Sequence, residues 1–320
     1  MTTCQEVIAQ HPFFRDMRPE HLQVLLECSS EIRFKPNEIL FREGEPANRF
    51  YLIQSGRVAI EAHQPADGTT LVQTVGPGDV LGWSWLFPPF AWHFQARALE
   101  PTRVVALDGA HLLVTAERDH AFGHELMKRV TRVVIERLQA TRKQLIEKEI
   151  KPSFKSQGSA AHGDSLEAGH AAQLVAGHPF LEGLSPGDVQ LLITSASIRR
   201  FGIGQEIFHE GTEAEHFYLI HTGRVSLETF VPGQGNVVVQ TIGPNEPLGW
   251  SWLFPPFRWH FTARTIEPCE VVAFGASSLR EKADENREFG YDLMRRVSRV
   301  MLERLQATRR KLLEFYGVTE

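Results

Sequence analysis

One aromatic stretch carries the most unusual chemistry of this sequence, and it occurs twice. It reads GWSWLFPPFAWHFQAR over 82–97 and GWSWLFPPFRWHFTAR over 249–264. An indole ring offers a large apolar face and one N–H donor, which suits stacking on a flat ligand or attracting a cation. The histidine and arginine near the end of each stretch are donors that suit an anion. We therefore treat each stretch as a ligand cassette, whose candidate residues are Gly82, Trp83, Ser84, Trp85, Trp92, His93 and Arg97 in the first copy and Gly249, Trp250, Ser251, Trp252, Trp259, His260 and Arg264 in the second.

The two cassettes lie at the same place within a longer internal repeat. The segments FYLIQSGRV and FYLIHTGRV begin at 50 and 217, and 217 − 50 = 167, while the cassettes differ by 249 − 82 = 167. The segment ERLQATR recurs at the same offset. A constant offset means that no insertion or deletion separates the matched parts, so the sequence predicts two similar domains of ordinary size.

The boundaries of these domains follow from the repeat and from composition. We predict domain 1 over 1–150 and domain 2 over 176–320, each including its own C-terminal helix. The segment 151–175 is rich in Ser, Gly and Ala and has little periodic apolar content, which predicts a flexible linker.

Within one repeat, the periodicity of the apolar residues changes twice. Helical spacing over 20–29 gives way, over 31–107, to short apolar–polar alternations separated by Gly, Pro, Asn and Asp. A long segment without proline then follows. This order predicts a mainly β fold with flanking helices (α+β), formed by two jelly-roll β-barrels that are each followed by a long C-terminal helix.

Each long helix carries an apolar seam at alternating spacings of three and four residues, which is typical of a helix that pairs with another helix. The seam residues are Met127, Val130, Val134 and Leu138 in the first helix and Met294, Val297, Met301 and Leu305 in the second. Pairing of the two helices within one chain is the most economical arrangement, and pairing with another chain is the alternative. The basic residues of the second helix, Arg309 among them, are expected on a solvated face.

These segments together resemble the cyclic-nucleotide-binding domain of catabolite-activator-type regulators and kinase regulatory subunits. The resemblance is carried by F-x-x-G-x-x-x-x-x-F-Y-L-I-x-x-G-x-V over 41–58, by GPGDVLG over 76–82 and by the long terminal helix, and it covers both repeats nearly end to end. It implies that each barrel holds a nucleotide and that the helix transmits its arrival. Asn245 replaces the turn glycine Gly78, and Asn is the next residue to tolerate such a turn.

The cassettes depart from the family where the ligand would be held. The resemblance places Trp83 and Trp250 where the family has a glutamate for the ribose, and Trp92 and Trp259 where it has an arginine for the cyclic phosphate. Losing such a buried charge-assisted contact costs on the order of 2–5 kcal/mol. We therefore expect ordinary cyclic AMP recognition to be lost in both copies.

Several interpretations of the cassettes stay open. His93 with Arg97, and His260 with Arg264, would form a new anion site if they share a face; otherwise the arginines point outward and pair with acidic groups. The aromatic rings either fill the nucleotide space or line an open pocket. The corner Pro88-Pro89-Phe90 would, in a third interpretation, dock a protein partner.

Composition narrows the function classes. Hydrophobic residues make up 42% and charged residues 23% of the 320 residues, and the net charge of −5 gives no overall attraction to nucleic acid. No apolar run reaches the length of a membrane span, no signal peptide is recognised, and three cysteines without metal-ligand spacing suit a reducing cytoplasm. Because usual catalytic and metal motifs are missing, we expect a protein that is not an enzyme.

The resulting hypothesis is a non-enzymatic, cytoplasmic regulatory or scaffold protein that acts through protein–protein contacts. We expect a protein partner, no membrane association and no DNA-reading domain after the second helix. The only cofactor class that the cassettes suggest is a nucleotide-like or aromatic small ligand. The alternative function is a genuine cyclic AMP or cyclic GMP sensor with a rewired anion anchor.

Overall fold

The computed structural model describes residues 3–63, 68–148 and 168–314 of the chain. The chain divides into two compact units: unit 1 contains Met1–Thr141 and Val297–Glu320, and unit 2 contains Arg142–Arg296.

The residue ranges of these units differ from those of the domains that the repeat predicts, because each long terminal helix is divided between unit 1 and unit 2. The predicted linker over 151–175 lies mostly outside the described residues, and from Ala168 the chain is helical. The flexible character of 151–167 and the repeat boundaries stay predictions.

The first repeat forms helices and two sheets in the predicted order. Its elements are α1 (Cys4–Gln10), α2 (Pro19–Glu27), β1 (Ser29–Phe34), β2 (Ile39–Phe41), β3 (Arg49–Ser55), β4 (Val58–His63), β5 (Thr69–Val75), β6 (Val80–Leu81), β7 (Gln95–Ala98), β8 (Thr102–Asp108), α3 (Gly109–Arg118) and α4 (His120–Lys148), with single 3-10 turns at Pro12–Phe14 and Ser84–Leu86. The antiparallel sheets have the strand orders β1-β8-β3-β6 and β2-β7-β4-β5.

The second repeat forms the same elements. They are α5 (Ala168–Ala176), α6 (Pro186–Ile193), β9 (Ala196–Phe201), β10 (Glu206–Phe208), β11 (His216–Thr222), β12 (Val225–Val231), β13 (Gly235–Ile242), β14 (Pro247–Leu248), β15 (Thr262–Thr265), β16 (Cys269–Gly275), α7 (Ala276–Glu285) and α8 (Arg287–Glu314), with 3-10 turns at Pro179–Leu181 and Ser251–Leu253. Its sheets have the orders β9-β16-β11-β14 and β10-β15-β12-β13. The predicted mainly β architecture, with a long helix after each barrel, is confirmed.

Strand β3 shows why the barrel is buried on both faces. Phe50 and Tyr51 point to opposite sides of the sheet because side chains alternate along a strand. Phe50 lies 5.3 Å from the ring of Phe13 in the N-terminal 3-10 turn, whereas Tyr51 stacks near Phe41 of β2 at 5.8 Å. Both are at most 4% exposed. A strand covered on both sides reads as a continuous apolar run, which explains the motif FYLI.

The apolar seams of α4 and α8 are buried. All eight predicted seam residues, from Met127 to Leu305, are at most 3% exposed. Within unit 1, the hydroxyl groups of Thr131 on α4 and Ser298 on α8 share a hydrogen bond. The two helices therefore meet inside one chain. Among the described residues, no helix combines the length and apolar character needed to cross a bilayer.

Candidate ligand sites

The first cassette begins at a glycine that its neighbours require. Gly82 follows β6 with φ +84°, and a Cβ atom there would lie 2.8 Å from the carbonyl oxygen of Arg49 and 3.1 Å from the ring of Trp92. The equivalent Gly249 has φ +86°, and its Cβ would lie 2.7 Å from the ring of Trp259. Only a residue without Cβ allows both the backbone conformation and the close approach of the indole.

Trp92 and Trp259, at the position of the family's arginine, are packed into aromatic stacks. The Trp92 ring lies 4.0 Å from Phe41 with an interplanar angle of 19°, and the Trp259 ring lies 3.8 Å from Phe208 at 12°. Both indoles are at most 5% exposed. Backbone hydrogen bonds between Trp92 and both Gly44 and Glu45 hold this strand-like segment in place.

The remaining cassette tryptophans pack against other elements. Trp85 packs against the first residue of α3, Gly109. A Cβ atom added to Gly109 would lie 2.7 Å from the side chain of Trp85. Trp252 is fully buried. Trp83 lies under the guanidinium of Arg137 at 4.6 Å, an arrangement that favours cation–π attraction. The three indoles of the first cassette are thus buried against three different elements instead of facing one another across a single aromatic box.

The cassette serines and histidines are brought together in both units. His93 Nδ1 lies 3.2 Å from Ser84 Oγ, and His260 Nδ1 lies 2.9 Å from Ser251 Oγ. Burial lowers the pKa of His93, and the positive charges of Arg310 and Arg309 lower it further. Burial also lowers the pKa of His260. Each imidazole is therefore held in its neutral form near pH 7.

The cassette arginines are not joined to these histidines. Arg97, on β7, donates to both carboxylate oxygens of Glu61 and to Asn37 Oδ1. Arg264 donates to Glu206, Glu228 and the carbonyl oxygen of Gly204. Because carboxylates already hold both guanidinium groups, the structure does not form the anion anchors proposed from His93 with Arg97 and from His260 with Arg264.

A different arginine enters the first barrel, and the sequence analysis missed it. Arg309 on α8 is 3% exposed, so the expectation of a solvated face is wrong for this residue. Its Nη2 donates to Gln73 Oε1 of β5 at 2.7 Å, and its guanidinium lies 5.3 Å from the ring of Phe94. Among the described residues of unit 1, no carboxylate pairs with it, and its Nε has no hydrogen-bond partner.

A second buried guanidinium of unit 1 adds to this positive charge. Arg137 on α4 donates to the carbonyl oxygen of Val80 and is 7% exposed. Burial lowers the pKa of Arg137 to about 10. Burial, followed by repulsion from Arg137, lowers the pKa of Arg309 to about 9. An environment that opposes a guanidinium charge this strongly favours an anion beside it.

The amide and ring contacts of Arg309 recur in unit 2 at the equivalent residues. Arg142 on α4 is 1% exposed, donates to Gln240 on β13 and lies 5.2 Å from the ring of Phe261. It also lies 5.0 Å from the ring of Trp250. We call Arg309–Gln73–Phe94 and Arg142–Gln240–Phe261 the helix-arginine sites. The repeated ERLQATR segment ends in these two arginines, so the sequence shows that they occupy equivalent positions. It does not show that they lie on the buried face of each helix.

Metal chemistry has no candidate within the described part of the chain. No group of three or more His, Cys, Asp or Glu side chains is placed there to hold a metal ion. The cysteines Cys4, Cys28 and Cys269 are free thiols, and burial raises the pKa of Cys28 and of Cys269 to about 11.

Comparison with known proteins finds relatives of this chain. The chain is 28% identical over 141 residues to the "CRP-like cAMP-activated global transcriptional regulator" of Mycobacterium tuberculosis, which corresponds to 44% of this chain and 61% of the regulator. The chain therefore spans less than two thirds of the length of that relative.

Two solved structures also resemble the chain. The regulatory domain of Toxoplasma gondii PKA, co-crystallised with cAMP, is 15% identical, with 89% of this chain and 92% of that chain covered and a TM-score of 0.34. A cyclic nucleotide-binding domain from Methylobacillus flagellatus is 14% identical, with 48% and 88% covered and a TM-score of 0.41.

The family model of the cyclic nucleotide-binding domain matches twice, over 31–119 and over 198–286. Each match covers the strands of one repeat, except for the first two residues of β1 or β9, and its whole cassette. With more than half of its length matched, this protein belongs to the cyclic nucleotide-binding domain family and carries two copies of that domain.

Proposed function

We propose that this protein is a non-enzymatic regulator in which each helix-arginine site binds a small anionic ligand and the terminal helices pass the bound state to a protein partner. The observation that carries the proposal is the buried guanidinium of Arg309, which has a neutral amide as its hydrogen-bond acceptor. Moving an ion out of water costs several kcal/mol even after the protein relaxes, and a nearby like charge adds to that cost. A bound anion would offset both.

The groups around Arg309 define the chemistry of the ligand. A guanidinium forms two parallel hydrogen bonds with a phosphate or a carboxylate. The ring of Phe94 lies beside it, and the neutral pair of His93 and Ser84 lies close enough for Arg309 to affect the imidazole. This combination suits an anionic oxygen group attached to a planar ring system. Cyclic nucleotides are one such class, held here without the usual cassette arginine.

The position of the arginines on α4 and α8 supports a regulatory role. A ligand that pairs with Arg309 or Arg142 interacts directly with a terminal helix. A ligand shifts a conformational equilibrium only through contacts that differ between the two states. Pairing of the ligand with a helix arginine is a contact of this kind. We therefore propose that ligand binding orders the end of each helix, and that a protein partner recognises the ordered helix.

The test is isothermal titration calorimetry of the full chain with cyclic AMP and cyclic GMP, and native mass spectrometry of protein purified from its own host. The variant with Arg142→Gln and Arg309→Gln removes both proposed anion contacts. The matched control carries Lys143→Gln and Arg310→Gln, one residue further along each helix, where both side chains are exposed.

We expect a ligand on the wild type and on the control, with affinity at least tenfold weaker, or no ligand, in the arginine variant. Equal occupancy in the arginine variant and the wild type would overturn the proposal. For the non-enzymatic part, purified protein incubated with cyclic AMP or ATP should leave both nucleotides intact by chromatography. Turnover that persists through purification would contradict it.

A further inference from the structure

Unit 1 has a cavity that shares no residue with the helix-arginine site. It is a groove of about 580 Å³, open to solvent, within the range of small-molecule sites of roughly 300–1,000 Å³. Its lining residues are Ile32, Phe34, Leu40, Phe41, Glu45, Pro46, Asn48, Arg49, Tyr51 and Trp92. We call this cavity the β1–β2 groove.

The floor of the groove is a series of nearly parallel aromatic rings. Phe41 lies 4.0 Å from Trp92 at 19° and 5.8 Å from Tyr51 at 25°. Burial raises the pKa of Tyr51, so its phenol is neutral at physiological pH. Offset stacking between parallel rings is favourable, and a planar ligand would extend the series.

One cation at the rim has no partner of its own. Arg49 begins β3 and is exposed, and within the described part of the chain it forms no hydrogen bond or ion pair with a side chain. Its charge is close enough to Tyr51 to act on the phenol. Glu45 also reaches the groove, and its Oε2 accepts a hydrogen bond from the backbone N–H of Arg42 at 3.1 Å. Arg49 is therefore the group that would receive a ligand's carboxylate.

The second repeat provides an internal comparison, because six of the ten lining positions differ there. Two of the differences add acidic residues, since Pro46 and Asn48 correspond to Glu213 and Glu215. At the repeat offset, Arg199 corresponds to Ile32 and His216 to Arg49. In unit 2, Arg199 donates towards His216 Nε2 at 2.6 Å, and its guanidinium lies 6.0 Å from the ring of Tyr218, the counterpart of Tyr51. The ring of Tyr218 is thus approached by an arginine in unit 2, whereas the position of that arginine is occupied by Ile32 in unit 1.

We propose that the β1–β2 groove is a binding site for a planar aromatic carboxylate, and that this site exists in unit 1 alone. The ring of the ligand extends the stacked series of Phe41, Tyr51 and Trp92, and its carboxylate pairs with Arg49. In unit 2, Arg199 takes the space of the ring, and His216 stands in the place of Arg49.

The probe for this site is 1-naphthoate, titrated calorimetrically into the full chain in the background of Arg142→Gln and Arg309→Gln, which removes the other anion sites. We expect one site per chain with a Kd below about 1 mM, which corresponds to roughly −4 kcal/mol. The neutral isostere 1-naphthylmethanol should bind at least fivefold more weakly. The wild type should show the same groove affinity, so this result is independent of the helix-arginine proposal.

Residues exchanged between the two repeats make matched variants. Ile32→Arg with Arg49→His rebuilds in unit 1 the pair that unit 2 already contains, and should weaken binding at least tenfold. Arg199→Ile and His216→Arg, combined with Glu213→Pro and Glu215→Asn, should create a second site. Glu45→Gln should tighten binding of the anion. Absence of binding, equal affinity of the neutral isostere, or unchanged affinity after Ile32→Arg with Arg49→His would overturn the proposal.

Discussion

Arg309 of α8 and Gln73 of β5 are joined by a hydrogen bond of 2.7 Å inside unit 1, and Arg142 and Gln240 are joined in the same way inside unit 2. Each pair combines a terminal-helix cation with a neutral barrel side chain. A neutral acceptor does not compensate a buried guanidinium. Among the described residues of unit 1, Arg309 is therefore a buried cation without a carboxylate partner, although Trp92 occupies the cassette position of the family's arginine.

Replacing the buried charge should stabilise the protein without ligand. We expect Gln73→Leu with Arg309→Met to raise the free energy of unfolding by about 1–4 kcal/mol, because a well-packed apolar pair avoids the desolvation cost of the cation. Urea denaturation of the ligand-free protein measures this change in the free energy of unfolding. Arg310→Met, at the exposed neighbouring position, should change stability by less than about 0.5 kcal/mol. A loss of stability in the double variant would mean that Arg309 has a structural role.

The close approach of Trp92 to Gly82 gives a sharp test of the cassette geometry. Gly82→Ala should destabilise the protein by more than about 2 kcal/mol, since the added methyl group combines a left-handed φ with contacts of 2.8 Å and 3.1 Å. Gly44→Ala is the matched control, because its φ is +79° but nothing lies within 4 Å of its Cβ. It should cost only about 1–2 kcal/mol. Equal losses would contradict the proposed close packing.

Restoring the family's charged residues should not strengthen cyclic AMP binding. Trp83→Glu with Trp92→Arg removes an indole that stacks on Phe41 at 4.0 Å, so we expect a loss of about 3–5 kcal/mol in stability. The Trp92 ring also contributes to the β1–β2 groove rather than to the helix-arginine site. Titration with cyclic AMP should show no gain in affinity over the wild type. Tenfold tighter binding would show that the nucleotide space of the family is intact.

Titration of His93 should make stability depend on pH. Burial and the charges of Arg310 and Arg309 keep its pKa in the folded state below the ordinary value of 6.5. Since the unfolded chain then binds the proton more tightly, the free energy of unfolding should fall as the pH drops below 6.5. His93→Asn should reduce that fall between pH 7 and pH 5, whereas His63→Asn, at an exposed position, should leave it unchanged. Identical slopes in both variants would contradict a buried neutral imidazole.

The sequence predicted the fold well because each of its signals is local or repeated. Alternation along β3 and the spacing of apolar residues along α4 fix which faces are buried, so the barrel and the paired helices follow directly. The turn at Asn245 has φ +66°, as its replacement of Gly78 implied.

The candidate site was harder to predict because it depends on contacts between distant segments. Arg309 and Gln73 are 236 residues apart, and the basic end of α8 has the same composition as a solvated helix surface. Nothing local indicates which arginine turns inward. Likewise, the residues of the cassette do not show that Arg97 meets Glu61, since that contact depends on the pairing of β4 with β7.

The most direct test of the helix-arginine sites is native mass spectrometry of full-length protein taken from its own host, comparing the wild type with Arg142→Gln and Arg309→Gln. We predict an added small-molecule mass on the wild type, on up to two sites per chain, that is absent from the variant. A wild type that carries no added mass, or a variant that carries the same mass to the same extent, would contradict the assignment of these arginines to ligand binding.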